Sequence, residues 1–577
     1  MSDYSNTSLT PLERFWRLLK PDSPEIRNVY IYSIFIGLIN LSLPLGIQAI
    51  INLIQGGQVS TSWIVLLVFV VGGVAVAGVL QIYQMRITEN LQQKIFTRAS
   101  FEFAYRIPRV RLEALYRYYA PELMNRFFDT MSVQKGLPKI LIDFSGASLQ
   151  VIFGLILLSF YHPFFIIFSL ILVLLVYTIF WLTAKRGLET SLEESKYKYQ
   201  TAHWLEEMAR TSVTFKLAGK TDLPLQVTDK LTGDYLKSRE GHFSVLVQQY
   251  SLMVVFKSIV ALGLLALGGI LVMEQLMNIG QFVAAEIIIL LIMNSVEKLI
   301  MSFETIYDVL TALEKMGQVT DMELEHSDGI DLVEQCDKNG LTVDLDNVFF
   351  YYPEQKKAAL KDISLHLACS DKVMITGENG SGKSTLVQVL AGLYDVQEGG
   401  ISYNGFPIGN VNLESLRSVI GDYMSQEQLF EGTIIQNIAM GREAATFDNV
   451  KWAVKNLGLE EFVRKLPYGY DTMIAPEGKR LPKSIVEKIL IARAIADKPK
   501  LLLIEDAFEH LDEIDRRKII DFLTDKKNEW TMVTVSADPY VARRSDTIFE
   551  VKNGEIIHRG TYKEMESLAK LKKNRDA

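Results

Sequence analysis

Six long apolar stretches occupy the first half of the 577-residue chain and constrain its fold more than any other feature. They cover approximately residues 29–53, 62–85, 140–160, 163–184, 246–273 and 279–303. Each has about the 20 residues that a helix needs to cross the hydrocarbon core of a bilayer. The sequence therefore predicts an all-α, six-helix transmembrane domain over residues 29–303, preceded by a polar N-terminal segment, 1–28.

The connections between these stretches indicate the orientation of the chain. Three are short and contain no Lys or Arg, whereas the connections at 86–139 and 185–245 are long and charged, the first being rich in basic residues. Since loops rich in Lys and Arg stay in the cytoplasm, we expect a multi-pass protein of the inner or plasma membrane with both termini cytoplasmic. Little Pro or Gly in the long connections predicts helices that continue the spans and bend near Pro121 and Gly219.

Charged residues within the spans are candidates for function, because charge in the hydrocarbon is costly. Counting along the helices places Asp143, Lys257 and Glu297 near the inner interface, where ion pairing or snorkelling accounts for them. Glu286 is placed near the outer end of its span. It is expected to line a polar pathway, to hydrogen-bond a neighbouring helix or to lie near the headgroups.

Composition excludes several classes of protein. A net charge of −8 gives no case for nucleic-acid binding. Hydrophobic residues make up 49% of the chain and charged residues 22%, which fits a membrane half joined to a soluble half. The two cysteines, Cys336 and Cys369, are too few for a disulfide framework and are expected as free thiols.

The hydrophobic pattern changes after Phe303. A polar linker, 304–340, leads to alternating strand and helix patterns over 341–577, typical of an α/β domain. The run 373–376 reads as a strand, 386–393 as a helix, and the glycine-rich segment between them has the pattern of a phosphate-binding loop. Its candidate nucleotide-binding residues are Gly377, Glu378, Asn379, Gly380, Ser381, Gly382, Lys383, Ser384 and Thr385.

This P-loop motif carries its own chemistry. Glycines let successive backbone N–H groups surround phosphate oxygens, and the following helix presents its positive end to them. Lys383 is expected to reach the β- and γ-phosphates, and the Ser384 hydroxyl to ligate Mg²⁺. The second half of the chain is therefore predicted to be an α/β P-loop nucleotide-binding domain.

Six spans with long cytoplasmic extensions, followed by one P-loop domain, resemble the ATP-binding cassette (ABC) exporters in their half-transporter form over nearly the whole chain. The resemblance implies ATP and Mg²⁺ as cofactors, with Tyr352 stacked on adenine and Gln426 sensing the metal. It implies a metal site formed by Ser384, Gln426 and Glu505. It also implies that two chains, either two copies or this chain with a second half-transporter, pair head to tail around two ATP molecules.

Several positions depart from the family pattern. The signature, usually Leu-Ser-Gly-Gly-Gln, is replaced by Leu481–Ile485, where Pro482 has neither a hydroxyl nor an N–H. Lys483 either offers its own cation to the phosphate or is an ordinary surface lysine at the start of a helix. Glu505-Asp506 reverses the usual Asp-Glu order. Ala537 stands where the family has a histidine. All of these positions belong to hydrolysis or to the dimer sandwich, so ATP binding is expected and rapid hydrolysis is not.

The catalytic candidates are therefore Glu505 and Asp506, and the enzymatic activity of the chain stays open. Either hydrolysis is slow, or the substitutions compensate one another, with Glu505 as metal ligand and Asp506 acting through a shifted water. We expect a dimeric exporter half-subunit in the lipid bilayer with weak or altered hydrolysis. The alternatives are a non-hydrolysing, nucleotide-gated regulator or scaffold, and a degenerate subunit of a heterodimeric transporter. No motif identifies the substrate or settles whether a periplasmic adaptor takes part.

Overall fold

The computed structural model describes residues 9–55, 61–336, 340–425 and 427–575. The chain forms two compact units. The first comprises residues 1–109 and 118–322, and the second comprises residues 110–117 and 323–577. A short segment from the long first connection is therefore part of the second unit, which the sequence did not predict.

The first unit is helical throughout its described part. The helices up to its end, in chain order and including α5 of the second unit, are α1 (Pro11–Leu19), α2 (Ser23–Asn40), α3 (Ser42–Gln55), α4 (Thr61–Arg106), α5 (Leu112–Leu115), α6 (Ala120–Met124), α7 (Asp129–Pro138), α8 (Ser145–Ser159), α9 (Pro163–Arg210), α10 (Ser212–Leu217), α11 (Leu223–Met273) and α12 (Ile279–Thr320). A π-helical turn, Lys139–Phe144, joins α7 to α8.

Six helical runs among the described residues are long and apolar enough to cross a membrane, which confirms the six predicted spans. The runs are Pro11–Gln55, Thr61–Arg109, Ala120–Ser159, Pro163–Arg210, Leu223–Met273 and Ile279–Thr320. The longest single helix, α11, has 51 residues and is therefore roughly 75 Å long, more than twice the hydrocarbon thickness. The predicted helical extensions are present, and α12 continues to Thr320, so the first part of the predicted linker 304–340 is helical.

Several polar side chains inside this unit are paired with one another. The Lys257 ammonium lies 2.5 Å from a carboxylate oxygen of Glu297, as expected for charges near the inner interface. The Gln249 amide donates to the Thr183 hydroxyl at 2.9 Å and to the Tyr307 hydroxyl at 2.8 Å, joining α11, α9 and α12. Such pairing removes the cost of polar groups in an apolar surrounding. Glu286 is half-buried on α12.

The second unit is an α/β domain. Its strands are β1 (Val343–Phe350), β2 (Leu360–Leu367), β3 (Lys372–Thr376), β4 (Glu398–Tyr403), β5 (Phe406–Pro407), β6 (Ile420–Tyr423), β7 (Gly432–Thr433), β8 (Met473–Ile474), β9 (Leu501–Glu505), β10 (Thr531–Val535), β11 (Thr547–Lys552) and β12 (Glu555–Gly560). Its further helices are α13 (Leu332–Gln335), α14 (Lys383–Leu390), α15 (Leu413–Ser418), α16 (Ile434–Ala439), α17 (Phe447–Asn456), α18 (Glu460–Lys465), α19 (Lys483–Ile495), α20 (Glu513–Thr524), α21 (Pro539–Arg544) and α22 (Tyr562–Arg575).

The central sheet has the strand order β12-β11-β3-β10-β9-β6, and all pairs except β12–β11 are parallel. Residues 501–504 are fully buried apolar side chains, typical of a parallel strand covered on both faces. An antiparallel sheet, β2-β1-β4-β5, lies elsewhere in the unit. In the central sheet Val535 pairs with Ile375 on one side and with Glu505 on the other, so three strands end at one edge.

Close packing of β6 against α19 depends on one glycine. A Cβ at Gly421 would lie 1.9 Å from the carbonyl oxygen of Ala494 and 2.7 Å from Cγ of Pro499. Backbone cannot yield as a flexible side chain does, so a side chain here would force the strand and α19 apart. By contrast, a Cβ at Gly400 in β4 would meet nothing within 4 Å.

We expect Gly421→Ala to lower the stability of the second unit by about 1–3 kcal/mol, because it overpacks this contact. Thermal unfolding of the full chain, followed by tryptophan fluorescence, should show a lower midpoint for Gly421→Ala than for the control Gly400→Ala. Equal midpoints for the two variants would contradict the tight contact between β6 and α19.

Candidate functional site

The loop between β3 and α14 has the geometry of a phosphate-binding loop. Gly377, Gly380 and Gly382 have φ values of 151°, 77° and 105°, which residues with side chains rarely adopt. A Cβ at Gly377 would lie 2.1 Å from the carbonyl oxygen of Val551, so this position also lacks room for a side chain. The backbone therefore requires glycine where the motif has it.

A cavity of about 470 Å³ lies over this loop. The residues that line it include Tyr116, Tyr352, Gly380, Lys383, Ser384 and Thr385. The Lys383 ammonium donates to the carbonyl oxygens of Gly377 and Glu378, both at 2.9 Å. The structure thus brings predicted residues of the loop together with Tyr352 around a space that is large enough for a small ligand.

The two acids lie at the end of β9, at the same sheet edge as the loop. Glu505 is buried, with 2% of its surface exposed. One carboxylate oxygen accepts from the Ser425 backbone N–H at 3.3 Å and from the Ser425 hydroxyl at 3.2 Å. Its other oxygen is buried and has no hydrogen-bond partner among the described residues. A buried oxygen without a partner suits a cation ligand, so Glu505 fits the predicted Mg²⁺ site.

Asp506 differs from Glu505 in its environment. It is exposed, and its φ of 47° places it in the left-handed region, which residues other than glycine adopt only occasionally. Its backbone N–H donates to the carbonyl oxygen of Val535 at 3.0 Å, which fixes the chain as it leaves the strand. Partial burial and the Glu505 carboxylate raise the pKa of Asp506, while Lys383 opposes this shift.

A third acid holds the loop that follows. Glu487, in α19, is buried, and its two carboxylate oxygens accept hydrogen bonds from the backbone N–H groups of Phe508 and His510, the second at 3.2 Å. Phe508 has a φ of 82°, an unfavourable value for a bulky side chain. The pair of hydrogen bonds stabilises this strained turn next to Asp506.

The departures from the family signature lie at the start of α19. Pro482 precedes the first turn and gives it no side-chain hydrogen bond. Lys483 follows as an exposed side chain with no ion pair among the residues that the structure describes. A free cation at this position is compatible both with a phosphate contact across a dimer and with an ordinary surface lysine.

Tyr352 contacts two side chains of α14 and, unexpectedly, the ring of Tyr116. Its hydroxyl bonds the Thr385 hydroxyl at 2.9 Å and donates to the Gln388 side chain at 3.2 Å. Its ring stacks on the ring of Tyr116, with centroids 5.8 Å apart and planes inclined by 22°. Gln355 donates to the Tyr116 hydroxyl at 3.1 Å. A ring from the first half of the chain therefore covers the aromatic surface that was expected to receive adenine.

Ion pairs hold the 110–117 segment within the second unit. Arg111 lies 3.1 Å from Glu323 and 2.5 Å from Asp395. Arg117 lies 2.8 Å from Glu354, close to Tyr352 in the sequence. The backbone N–H of Arg111 also donates to the carbonyl oxygen of Glu323 at 3.1 Å. Tyr116 is thus carried by a segment that is anchored at both ends.

Two other predicted positions are less informative. Gln426 lies outside the described residues. Ala537 is exposed and follows β10, at the same sheet edge as the P-loop and the acids. Within the described part of the chain, no group of three or more His, Cys, Asp or Glu side chains forms a metal cluster. A cation at Glu505 and Ser384 would therefore need further oxygens from water or from phosphate.

Sequence reasoning missed Tyr116, Ser425 and Glu487. Ser425 had a usable signal, because it follows a strand next to β9 and the carboxyl ends of parallel strands meet at one edge. Glu487 was visible as an acid in the largely apolar helical run Ile485–Ile495. Tyr116 had no such signal, since several tyrosines occur in its segment and only tertiary structure selects one of them.

Comparisons with known proteins agree with this architecture. The family pattern described as "ABC transporter transmembrane region" matches residues 27–296, and the pattern described as "ABC transporter" matches residues 360–509. A solved structure titled "Structure of a bacterial Atm1-family ABC exporter with ATP bound" has a TM-score of 0.83 with 19% identity, covering 96% of this chain and 98% of that one. At this identity the likeness concerns the fold.

Curated relatives share parts of the sequence. "Uncharacterized ABC transporter ATP-binding protein YfiB" of Bacillus subtilis (strain 168) is 34% identical over 40% of this chain and 40% of its own length. "Putative multidrug export ATP-binding/permease protein YgaD" of the same organism is 27% identical over 58% of this chain and 57% of its own length. "Cyclolysin secretion/processing ATP-binding protein CyaB" of Bordetella pertussis (strain Tohama I / ATCC BAA-589 / NCTC 13251) is 28% identical over 53% and 42%.

The matched region spans about half the length of these curated relatives. All six spanning runs overlap one matched pattern, and four of them lie wholly within it. The P-loop and both acids lie within the other. The chain is therefore an ABC transporter chain with the half-transporter architecture, one transmembrane region followed by one ABC domain.

Proposed function

We propose that the chain is one half of a dimeric exporter that binds ATP with Mg²⁺ over the P-loop and hydrolyses it slowly. The observation that carries the proposal is the unpartnered, buried oxygen of Glu505 at the same sheet edge as Lys383 and Ser384. An acid kept buried in this way is costly unless a cation or a proton compensates it.

Each residue has a role that follows from its position. Lys383 would exchange its two loop carbonyls for phosphate oxygens, and the backbone of the loop would surround the rest of the phosphate chain. Ser384 and Glu505 would hold the Mg²⁺, and Tyr352 would contact the base once its ring is free. Bound MgATP supplies the phosphoanhydride bond that the reaction cleaves.

Slow hydrolysis is inferred from the group that would activate water. Asp506 is one methylene shorter than the glutamate of the family pattern, and its backbone is fixed by the bond to Val535. A base has to come within about 2.6–3.2 Å of its water, and errors of about 1 Å in positioning can cost a hundredfold in rate. Ala537 offers no hydrogen bond to a phosphate.

In a dimer, each ATP site combines parts of both chains, so the pairing decides which site contains which departure from the family pattern. In a head-to-tail pair each site takes its P-loop and acids from one chain and its signature from the other. Two copies of this chain would place every departure in both sites. A second half-transporter with the complete family pattern would leave one site with the altered acids and the other with Leu481–Ile485. Either dimer would hydrolyse ATP more slowly than a dimer of two chains that both have the complete family pattern.

A polar cavity in the first unit supports transport. Its volume is about 870 Å³, and its lining includes Gln84, Lys139, Asp143, Gln150 and Asn294. The amide nitrogen of Gln150 is buried and has no hydrogen-bond partner among the described residues. Polar groups on membrane-spanning helices are costly unless they pair with one another or contact a polar solute or water. This lining favours a solute pathway over a purely structural bundle.

The proposed location is the inner or plasma membrane, with both termini and the ABC domain in the cytoplasm, because the long connections carry the basic residues. One of the relatives is named for secretion. A periplasmic adaptor therefore belongs to the proposal as a partner to be tested.

A nucleotide-gated regulator is the second candidate. The observation in its favour is the stack of Tyr116 on Tyr352, which ties access to the base-binding ring to the position of the 110–117 segment. A regulator would bind ATP and change shape without sustained turnover, so measured turnover separates the two functions.

The full chain in lipid is expected to bind ATP at equilibrium and to turn it over below about 10 per second, the median rate of enzymes. Lys383→Ala should lose both properties, because the phosphate chain loses its cation. Absence of ATP binding in the unmodified chain would sink the proposal. Binding without turnover would favour the regulator, and turnover well above the median would show that the altered acids work normally.

Exchanging the two acids tests the assignment of slow hydrolysis. The double variant Glu505→Asp with Asp506→Glu is expected to raise turnover by roughly 10- to 100-fold, since it restores the reach of the water-activating acid. The same exchange in the Lys383→Ala background serves as the control and should stay inactive. Unchanged or lower turnover would mean that the site is built around the Glu505-Asp506 order.

Tyr116→Ala is expected to tighten ATP binding by about 2- to 10-fold, the equivalent of one aromatic pair that no longer has to be broken. To hold a base between them, the two tyrosine rings would have to be roughly 7 Å apart, which is two ring contacts of about 3.5 Å each. The observed separation of their centroids is 5.8 Å, so the base cannot enter while the rings are stacked. Equilibrium binding of a fluorescent ATP analogue gives the affinity, and Tyr118→Ala is the matched control. Weaker binding by Tyr116→Ala would show that Tyr116 helps to hold the base.

A further inference from the structure

A second cavity, of about 840 Å³, lies where α1 meets the beginning of α2. We call it the N-terminal groove and define it by Trp16, Arg17, Lys20, Arg27, Tyr30 and Ile34, which line it. It belongs wholly to the first unit, and neither the P-loop nor the polar cavity of the spans contributes to it.

The three cations of the groove are unusual for this part of the protein. Arg17, Lys20 and Arg27 are exposed, and their side chains have no acidic partner within the described residues. Three other cations of the same region are paired. Arg14 bonds Glu314 and Asp321, while Lys94 and Arg98 both lie within 3.4 Å of Asp22. The acidic side chains of this region are therefore already paired with other cations. Arg17, Lys20 and Arg27 form a cluster of uncompensated positive charge along the groove.

Apolar side chains continue the groove along α2. Arg27, Tyr30, Ile31 and Ile34 have the spacing of one helix face, and Tyr30, Ile31 and Ile34 are each about two-fifths exposed. Trp16 on α1 is 60% exposed beside them. At 1.5 Å per residue, Ile34 lies about 10 Å along the helix from Arg27. Charge at one end and apolar surface at the other match the polarity of a phospholipid.

The frame that carries the groove is fixed. A Thr10–Glu13 capping box begins α1, and Phe15 and Leu19 bury the opposite face of the helix. Arg14 holds α1 to α12 through Asp321, with nitrogen–oxygen distances of 2.9 and 2.7 Å. The exposed face is thus presented by a helix that is already held in place, so little ordering is needed to bind a ligand.

We infer that the N-terminal groove binds an anionic phospholipid from the adjacent leaflet. The phosphate and the charged headgroup lie among Arg17, Lys20 and Arg27, and the start of an acyl chain lies along Tyr30, Ile31 and Ile34. Tryptophan and basic residues next to a spanning helix favour the interface with negatively charged lipids. The occupant is a lipid and not a free phosphate, because most of the residues that line the groove are apolar or aromatic.

The test is equilibrium binding of fluorescently labelled phosphatidylglycerol to the full chain in detergent, followed by anisotropy. Each cation near an anionic surface contributes about a fivefold change in affinity, so replacing Arg17, Lys20 and Arg27 by Gln is expected to weaken binding about 100-fold. The matched control replaces three exposed lysines near the α10–α11 bend, Lys216, Lys220 and Lys230, by Gln. This control has the same change in net charge and should bind as the unmodified chain does.

Competition identifies the occupant without any variant. Unlabelled phosphatidylglycerol should displace the probe, while phosphatidylcholine with the same acyl chains and soluble glycerol phosphate should not. Raising the salt concentration should weaken binding, since the contact is partly exposed. Equal binding by the two triple variants, equal competition by phosphatidylcholine, or displacement by glycerol phosphate alone would each overturn the inference.

Discussion

The in-register, parallel pairing of β3, β10 and β9 is the constraint on which the site depends. Because Val535 pairs with both Ile375 and Glu505, the P-loop, the acids and the position of Ala537 leave the sheet at one edge. The side chains of a strand alternate between faces, so a slip of one residue in β9 would exchange the environments of Glu505 and Asp506. The burial of one acid and the exposure of the other are therefore consequences of register.

The sequence was sufficient for the features that local pattern determines. Apolar stretches of spanning length predict spans without any tertiary information, and the P-loop combines glycine positions with a strand and a helix that the sequence also shows. The six spans and the α/β class of the second domain were predicted correctly for this reason. The acids could be located because they end the continuous apolar run Leu501–Ile504.

The remaining features depend on contacts between residues far apart in the chain. Tyr116 reaches Tyr352 across more than two hundred positions, and no periodicity in either segment indicates the other. The inclusion of 110–117 in the second unit rests in part on ion pairs of Arg111 and Arg117, which are partly or largely exposed, so that each contributes little by itself. The extension of α12 to Thr320 was missed because its sequence becomes polar before the helix ends.

The hydrogen bonds of Glu487 limit how the turn after β9 can change through mutation. Both carboxylate oxygens of Glu487 accept hydrogen bonds from backbone N–H groups, which holds Phe508 and His510 in one arrangement. The positive φ of Phe508 is unfavourable for a bulky residue, so the turn keeps this conformation only because the surrounding contacts hold it. The backbone next to Asp506 therefore has little freedom to shift and compensate for the shorter side chain of aspartate. Under the slow hydrolysis that we propose, faster chemistry at this position would have to come through a change of side chain, not through relaxation of the loop.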